Sequence, residues 1–138
     1  MRRKPVKIGV KEGRGPPPGY RWSVDYLSVA ADEAEKFLTK GEYAHVVDHV
    51  KALASEEDPT RPKTVSVDLL GDVNELRIKG GPLRKKNVRV FFFVTLERRI
   101  VVLGCKKKEN EGSLPPAVAK LMSIRRRKFL EGDYQSTG

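Results

Sequence analysis

Hydrophobic and polar residues change period several times along this chain, and each change predicts an element. Tyr20 to Leu27 alternates, with Tyr20, Trp22, Val24 and Tyr26 on one face and Arg21, Ser23 and Asp25 on the other, which predicts a first strand. Ala30 to Lys40 is rich in strong helix formers, with Asp32 and Glu33 placed well for a helix start, and Gly41 reads as its stop. Glu42 to Ala54 carries Val46, Val50 and Leu53 at helical spacing, so a second helix is expected, paired with the first as an antiparallel hairpin. Ser55 to Lys63 is a loop. Thr64 to Leu70 predicts a strand or its approach, with Val65, Val67 and Leu69 inward.

After Gly71-Asp72 the alternation becomes stronger. Val73 to Lys79 places Leu76 and Ile78 opposite Arg77 and Lys79, and Gly80-Gly81-Pro82 opens a basic loop from Leu83 to Asn87. Val88 to Val94 places Val88, Val90, Phe92 and Val94 on one face, with Arg89, Phe91 and Phe93 on the other. Thr95 to Arg98 turn the chain, and Arg99 to Cys105 is the last strand, from whose end Lys106, Lys107 and Lys108 emerge. Leu114 to Leu130 predicts a final helix, with Pro115 and Pro116 in its first turn, where a missing N–H costs nothing. Val118, Leu121, Met122 and Phe129 mark its buried side, and Gly132 follows its end.

The first 19 residues break this regularity. Gly13, Gly15, Pro16, Pro17, Pro18 and Gly19 lie among basic residues, which predicts a flexible basic arm before a single domain over 20–138. No apolar run approaches the ~20 residues of a membrane span, and no apolar segment follows the basic start, so a cytoplasmic protein is expected. Cys105 is the single cysteine, which excludes a disulfide framework and a cysteine zinc site.

Charge separates the chain into unlike parts. Residues 20–75 carry six basic and twelve acidic groups, whereas residues 76–108 carry eleven Lys and Arg against Glu97 alone. Cations crowded on strands repel one another, so the pattern implies a polyanionic partner. Arg77, Lys79, Arg89 and Lys106 to Lys108 would converge on one cleft if these strands form a meander. Arg offers a planar fork to phosphate and Lys a compact charge. Such a surface can bind RNA, or stabilise the phosphorane formed when a 2′-hydroxyl attacks its neighbouring phosphate, with a cation-crowded Lys as base. Phe91 or Phe93 could stack on a base or pack under the last helix. His45 and His49 have metal-ligand spacing at i and i+4, but Val46 occupies the general-base position and no third ligand is evident. Cys105 reads as a small buried hydrophobe beside a cation cluster.

The strings ELRIKGGPLRKKNVRVFFFV and RIVVLGCKKKENEGSLPPAVAKLMSIRRRKFL together resemble the RelE/ParE toxin superfamily, closest to its HigB-like, phage-derived host-inhibition branch. The matching marks are Glu75-Leu76-Arg77, Arg89 to Phe92, the apolar strand into a lysine run at Ile100 to Lys108, and the Leu-Pro-Pro opening of a helix that carries Arg125. The resemblance implies an α+β fold: a twisted antiparallel β-sheet with an N-terminal helical hairpin and a C-terminal helix, in the order β-α-α-β-β-β-α. It implies the toxin of a type II toxin–antitoxin pair, a metal-independent endoribonuclease that cuts ribosome-bound mRNA and arrests growth. By motif, Arg77, Arg89, Lys106 and Lys107 become the expected catalytic set, and Lys79, Arg84, Lys85, Lys86, Lys108 and Arg125 the expected RNA phosphate contacts. The expected partners are mRNA, the ribosome and a cognate antitoxin, a DNA-binding protein encoded adjacently, with no cofactor. Relatives use a late Tyr or His in acid/base chemistry, for which Tyr134 is the single candidate. A ParE-like inhibitor of DNA gyrase without nuclease chemistry, or a simple RNA-binding module, are the alternatives.

Overall fold

A computed structural model describes the backbone of residues 5–7 and the whole of residues 19–108 and 115–132. Pro5–Lys7 (β1), Ser23–Leu27 (β2), Ser66–Leu70 (β3), Val73–Ile78 (β4), Asn87–Val94 (β5) and Arg99–Lys108 (β6) are strands. Ser28–Phe37 (α1), Lys40–Ala54 (α2) and Pro116–Leu130 (α3) are helices, and Gly81–Leu83 forms a single 3₁₀ turn. The class is α+β.

Strands β3 to β6 form an antiparallel meander, as their short connections require. At the far side of β6 the pattern changes: β2 runs parallel to β6, with Val24 beside Ile100 and Tyr26 beside Val102. The sheet is therefore mixed and open, not antiparallel throughout, with β2, β6, β5, β4 and β3 in that order and β1 added antiparallel on the outer side of β2. A parallel pair needs a long crossover, and α1, α2 and strands β3 to β5 lie between β2 and β6, so no local signal encodes their direction. Four strands rather than three follow the helices. Residues 5–7 of the expected arm belong to the sheet edge, and the rest of that arm lies outside the described residues.

The two sheet faces are covered differently. Gly104 on β6 and Phe93 on β5 face α3: a Cβ built at Gly104 would meet Met122, and the Phe93 ring lies 5.8 Å from that of Phe129. The opposite face presents Val88, Val90 and Cys105, and there Tyr43 of α2 is an electrostatic neighbour of both Tyr26 and Cys105. Coverage on both sides buries every residue from Val88 to Phe93 and every residue of β2. The alternation in these strands therefore separates two buried faces, not a core face from a wet one. Phe91 and Phe93 are packing residues. A bulge places Leu103 of β6 between the Gly104–Phe91 and Val102–Phe92 pairs, so the β6 side chains change face there.

The helices also depart from the expectation. α1 ends at Phe37, and Gly41 lies inside α2. The true boundary is a capping box: Glu42 N–H donates to Thr39 Oγ1 at 3.2 Å, while Thr39 N–H donates to Glu42 Oε1 at 2.8 Å. α1 packs mainly along β6 and α2 against the 81–83 turn, so the two do not form a self-packed hairpin. Leu69 is 75% exposed rather than inward, on β3 at the edge of the sheet. Leu121 lies at the exposed margin of α3, and Met122 and Arg125 are its buried residues. Leu114 lies outside the described residues. No helix among the described residues is long and apolar enough to cross a membrane.

Candidate nucleic-acid interface

The lysine run does not leave the end of the last strand. β6 continues through Lys108, and strand geometry therefore sends consecutive lysines to opposite faces. Lys106 pairs with Arg89, and Arg89 with Arg77, so these three form a transverse row across β6, β5 and β4. Lys107 pairs with Val88 on the other face. The expected single cleft is thus two groups of cations with different electrostatic surroundings.

The transverse row is neutralised by its own fold. Arg77 donates from Nε to Glu75 at 2.9 Å, and its Nη2 lies 2.6 Å from Asp68 on β3. Hydrogen bonding to Glu75 and the nearby Asp68 raise its pKa, so it is firmly cationic. Arg89 is buried, with its Nε 3.5 Å from the same Glu75 oxygen, and Nη1 donates to the Val88 carbonyl at 3.3 Å. Burial lowers its pKa despite the attraction of Glu75, and the neighbouring Arg77 adds to the lowering. Lys106 Nζ is 2.7 Å from Glu33 of α1.

Arg125 lies apart from the solvent face altogether. Nη1 and Nη2 grip the two Glu33 oxygens at 2.8 and 3.0 Å, and Nη1 also donates to the Leu103 carbonyl at 2.9 Å. Glu33 further accepts the Cys105 backbone N–H at 3.2 Å. Burial works to raise the Glu33 pKa, but the bonds from Arg125 and Lys106 outweigh it and hold this carboxyl below its ordinary range. This shared carboxylate ties α1, β6 and α3 together. Arg125 is the part of the expected phosphate set that the fold turns inward.

The second group has one acid, Glu42, among the described residues that line it. Arg84, Lys85 and Lys86 from the β4–β5 connection and Lys107 and Lys108 from β6 line an open cleft of about 580 Å³, together with Leu83 and Glu42. Its loop is tightly built. Leu83 N–H donates to Gly80 O, Arg84 N–H to Gly81 O and Lys86 N–H to Leu83 O. Gly80 and Gly81 have positive φ, and so does Arg84 at +56°, a conformation costing a non-glycine residue about 1 kcal/mol or more. Lys86 anchors the loop from below, donating to the Phe37 carbonyl at 3.1 Å and to Glu42 at 2.8 Å. Its bond to Glu42, with the Thr39 N–H, lowers the pKa of that carboxyl and keeps it ionised. Glu42, the acid among the described residues of the cleft, is therefore already satisfied by Lys86 and Thr39. Lys79 is exposed just before this connection.

Chemically, four cations beside a satisfied acid and its lysine make a site for successive phosphates. Among the described residues no His or Tyr lines this cleft. His45 and His49 stack edge to face at 4.5 Å, His45 against Gly81, and no group of three His, Cys, Asp or Glu side chains gathers anywhere in the described residues. Cys105 is buried, and burial pushes its thiol up to about 12. Tyr134 lies outside the described residues.

Sequence reasoning named the cations and missed their carboxylates. Glu75 shares a face with Arg77 at i and i+2, which was a readable signal. Thr39 and Glu42 have capping-box spacing, also readable. Glu33 is 72 residues from Cys105 and 92 from Arg125, and nothing local announces it. The molecule is thus an α+β domain with a cationic cleft at one end of a mixed sheet. The chain matches no family model and no curated protein.

Proposed function

We propose that this protein acts on RNA, holding its backbone phosphates in the cleft formed by Arg84, Lys85, Lys86, Lys107 and Lys108. The observation that carries the reading is the convergence of these five side chains around one acid that the fold has already neutralised. Like charges collected at a cost in repulsion favour a polyanion. The resemblance in residues 73–128 adds the biological role: a RelE/ParE-like, HigB-like toxin whose RNA is ribosome-bound mRNA, with an adjacently encoded antitoxin to neutralise it. In this reading Arg77 and Lys106 border the bound strand, and Arg89 positions Arg77 through their common partner Glu75. Cleavage would then use a lysine of the cleft margin or the substrate's own water network for proton transfer.

A second reading, RNA binding without cleavage, is favoured by one observation: Arg89, Arg77 and Lys106 each already hold a carboxylate. One experiment decides. Purified protein is added to a reconstituted translation reaction, with RNA 5′ ends mapped with and without ribosomes and RNA binding measured in parallel. New 5′ ends that require ribosomes, and that vanish in an Arg84→Ala/Lys85→Ala/Lys107→Ala variant, are the expected result. Binding without cuts moves the assignment to the RNA-binding module. Growth arrest by a protein that neither binds nor cuts RNA refutes both and points to a gyrase-type target.

A further inference from the structure

Lys106, two residues before the cleft residue Lys108 on the same sheet face, holds Glu33, and the two depend on each other unequally. We propose that Lys106 changes partner when RNA occupies the cleft, leaving Glu33 for a backbone phosphate held beside Lys108, so that Glu33 sets the affinity for RNA. The inference rests on the reading of the cleft as an RNA site.

The asymmetry lies in what each group keeps after the exchange. Glu33 has four donors: Arg125 Nη1 at 2.8 Å, Arg125 Nη2 at 3.0 Å, Cys105 N–H at 3.2 Å and Lys106 Nζ at 2.7 Å. Removing Lys106 leaves a two-pronged guanidinium and a backbone N–H on the carboxylate, so its charge stays compensated. Glu33 remains ionised throughout, since its pKa lies below the ordinary carboxyl range.

Lys106 is also the member of the row free to move, since Arg77, though 48% exposed, is bound by both Glu75 and Asp68. Its side chain is 35% exposed, against 10% for Arg89 and for Arg125. Arg125 is additionally bound to the Leu103 carbonyl, and Arg89 to that of Val88. Among the described residues Lys106 pairs with Glu33 alone, on a flexible four-carbon stem whose compact charge tolerates many geometries. It shares a sheet face with Lys108, two residues on in β6, and Lys108 lines the cleft. The Lys106 end of this pair reaches solvent, where screening weakens its attraction to Glu33, so a phosphate held by Lys108 can displace Glu33.

The test uses the full-length protein and a fluorescent single-stranded oligoribonucleotide, titrated by anisotropy at several salt concentrations. Glu33→Gln keeps one acceptor oxygen, for Arg125 Nη1 and the Cys105 N–H, and puts an amide N–H₂ where the other oxygen met Arg125 Nη2 and Lys106, which releases Lys106. It should tighten binding about two- to fivefold and steepen the dependence of log affinity on log salt by about 0.7, one further phosphate contact on a single strand. In a Lys106→Met background the same Glu33→Gln change should have no effect. An equal gain in that background would mean simple removal of a nearby negative charge, and would overturn the proposal. So would unchanged or weaker binding by Glu33→Gln in the parent. If Glu33→Gln does not fold, the Lys106 ¹⁵Nζ resonance of the unmodified protein serves instead: it should shift on adding RNA, and a stationary signal under saturating RNA refutes the exchange. A parent protein that binds no RNA overturns this inference together with the reading of the cleft. A parent that binds, with Glu33→Gln unchanged, overturns this inference alone.

Discussion

Replacing Arg125 with Ala separates a scaffold residue from an RNA ligand. The guanidinium spans both oxygens of Glu33 and the Leu103 carbonyl, at 2.8, 3.0 and 2.9 Å, and both side chains are about 10% exposed. Removing one partner of a buried ion pair costs about 3–5 kcal/mol, chiefly because the other charge is left uncompensated. Here Glu33 retains Lys106 and the Cys105 N–H, so the lower end, about 3 kcal/mol, is expected. For a chain of 138 residues this corresponds to a fall in Tm of roughly 10 °C. The assay is urea and thermal unfolding, with RNA binding measured well below the new Tm. Folded Arg125→Ala should bind RNA within about twofold of the parent, since the lost side chain faces inward. The acid dependence should change too. Glu33 has a lowered folded pKa, so its contribution is complete above the ordinary carboxyl pKa and lost as pH falls through the folded value. Without Arg125 that acid-side loss should shrink. An Arg125→Ala protein with unchanged Tm and strongly reduced RNA affinity would refute the assignment and return Arg125 to the phosphate set.

Four further outcomes are expected. Gly104→Ala places a Cβ 2.4 Å from Met122 Cε and 2.8 Å from Arg125 Nη1, so these two buried side-chain ends must shift, at a cost of about 1–3 kcal/mol; unaltered denaturant stability would show that both ends retreat freely. Cys105, with its thiol pushed up from 9.0 to about 12, should resist alkylation at pH 8 in the folded protein and react only on unfolding. Its raised pKa contributes stability that is complete below pH 9 and lost as pH rises toward 12, a loss that Cys105→Ala should abolish in pH-dependent melts. Thr39→Ala breaks the capping box and should cost about 1 kcal/mol, measured by chemical denaturation; a neutral result would mean Lys86 alone holds Glu42 and the start of α2.

Much of the architecture was legible because it is local. The Val88–Val94 alternation, the turn at Thr95 to Arg98 and the helix start at Pro115-Pro116 depend on neighbours within a few residues, and each lies where its pattern implies. The misplaced helix boundary was also local. Gly41 reads as a stop, whereas the stronger signal is Thr39 with Glu42 three residues on. A glycine costs a helix only about 1 kcal/mol, which a capping box and a buried Val46–Val50–Leu53 stripe readily offset.

The candidate site was legible in composition and illegible in arrangement. That residues 76–108 carry the cations needs only the sequence. Which of them reach solvent depends on where carboxylates arrive from far along the chain: Glu33 from α1 to Lys106 and Arg125, Glu42 from α2 to Lys86, and Asp68 from β3 to Arg77.

The amino-acid sequence by itself determined the elements, the meander and the cationic character of the C-terminal half, since periodicity and charge are properties of short stretches. Tertiary structure alone decided that β2 runs parallel to β6, that β6 extends through Lys108 and divides its lysines between two faces, and that Arg89 and Arg125 turn inward while Arg84, Lys85 and Lys107 line the cleft. The physical reason is that a charge is buried only where an opposite charge meets it, and those meetings join residues up to 92 positions apart.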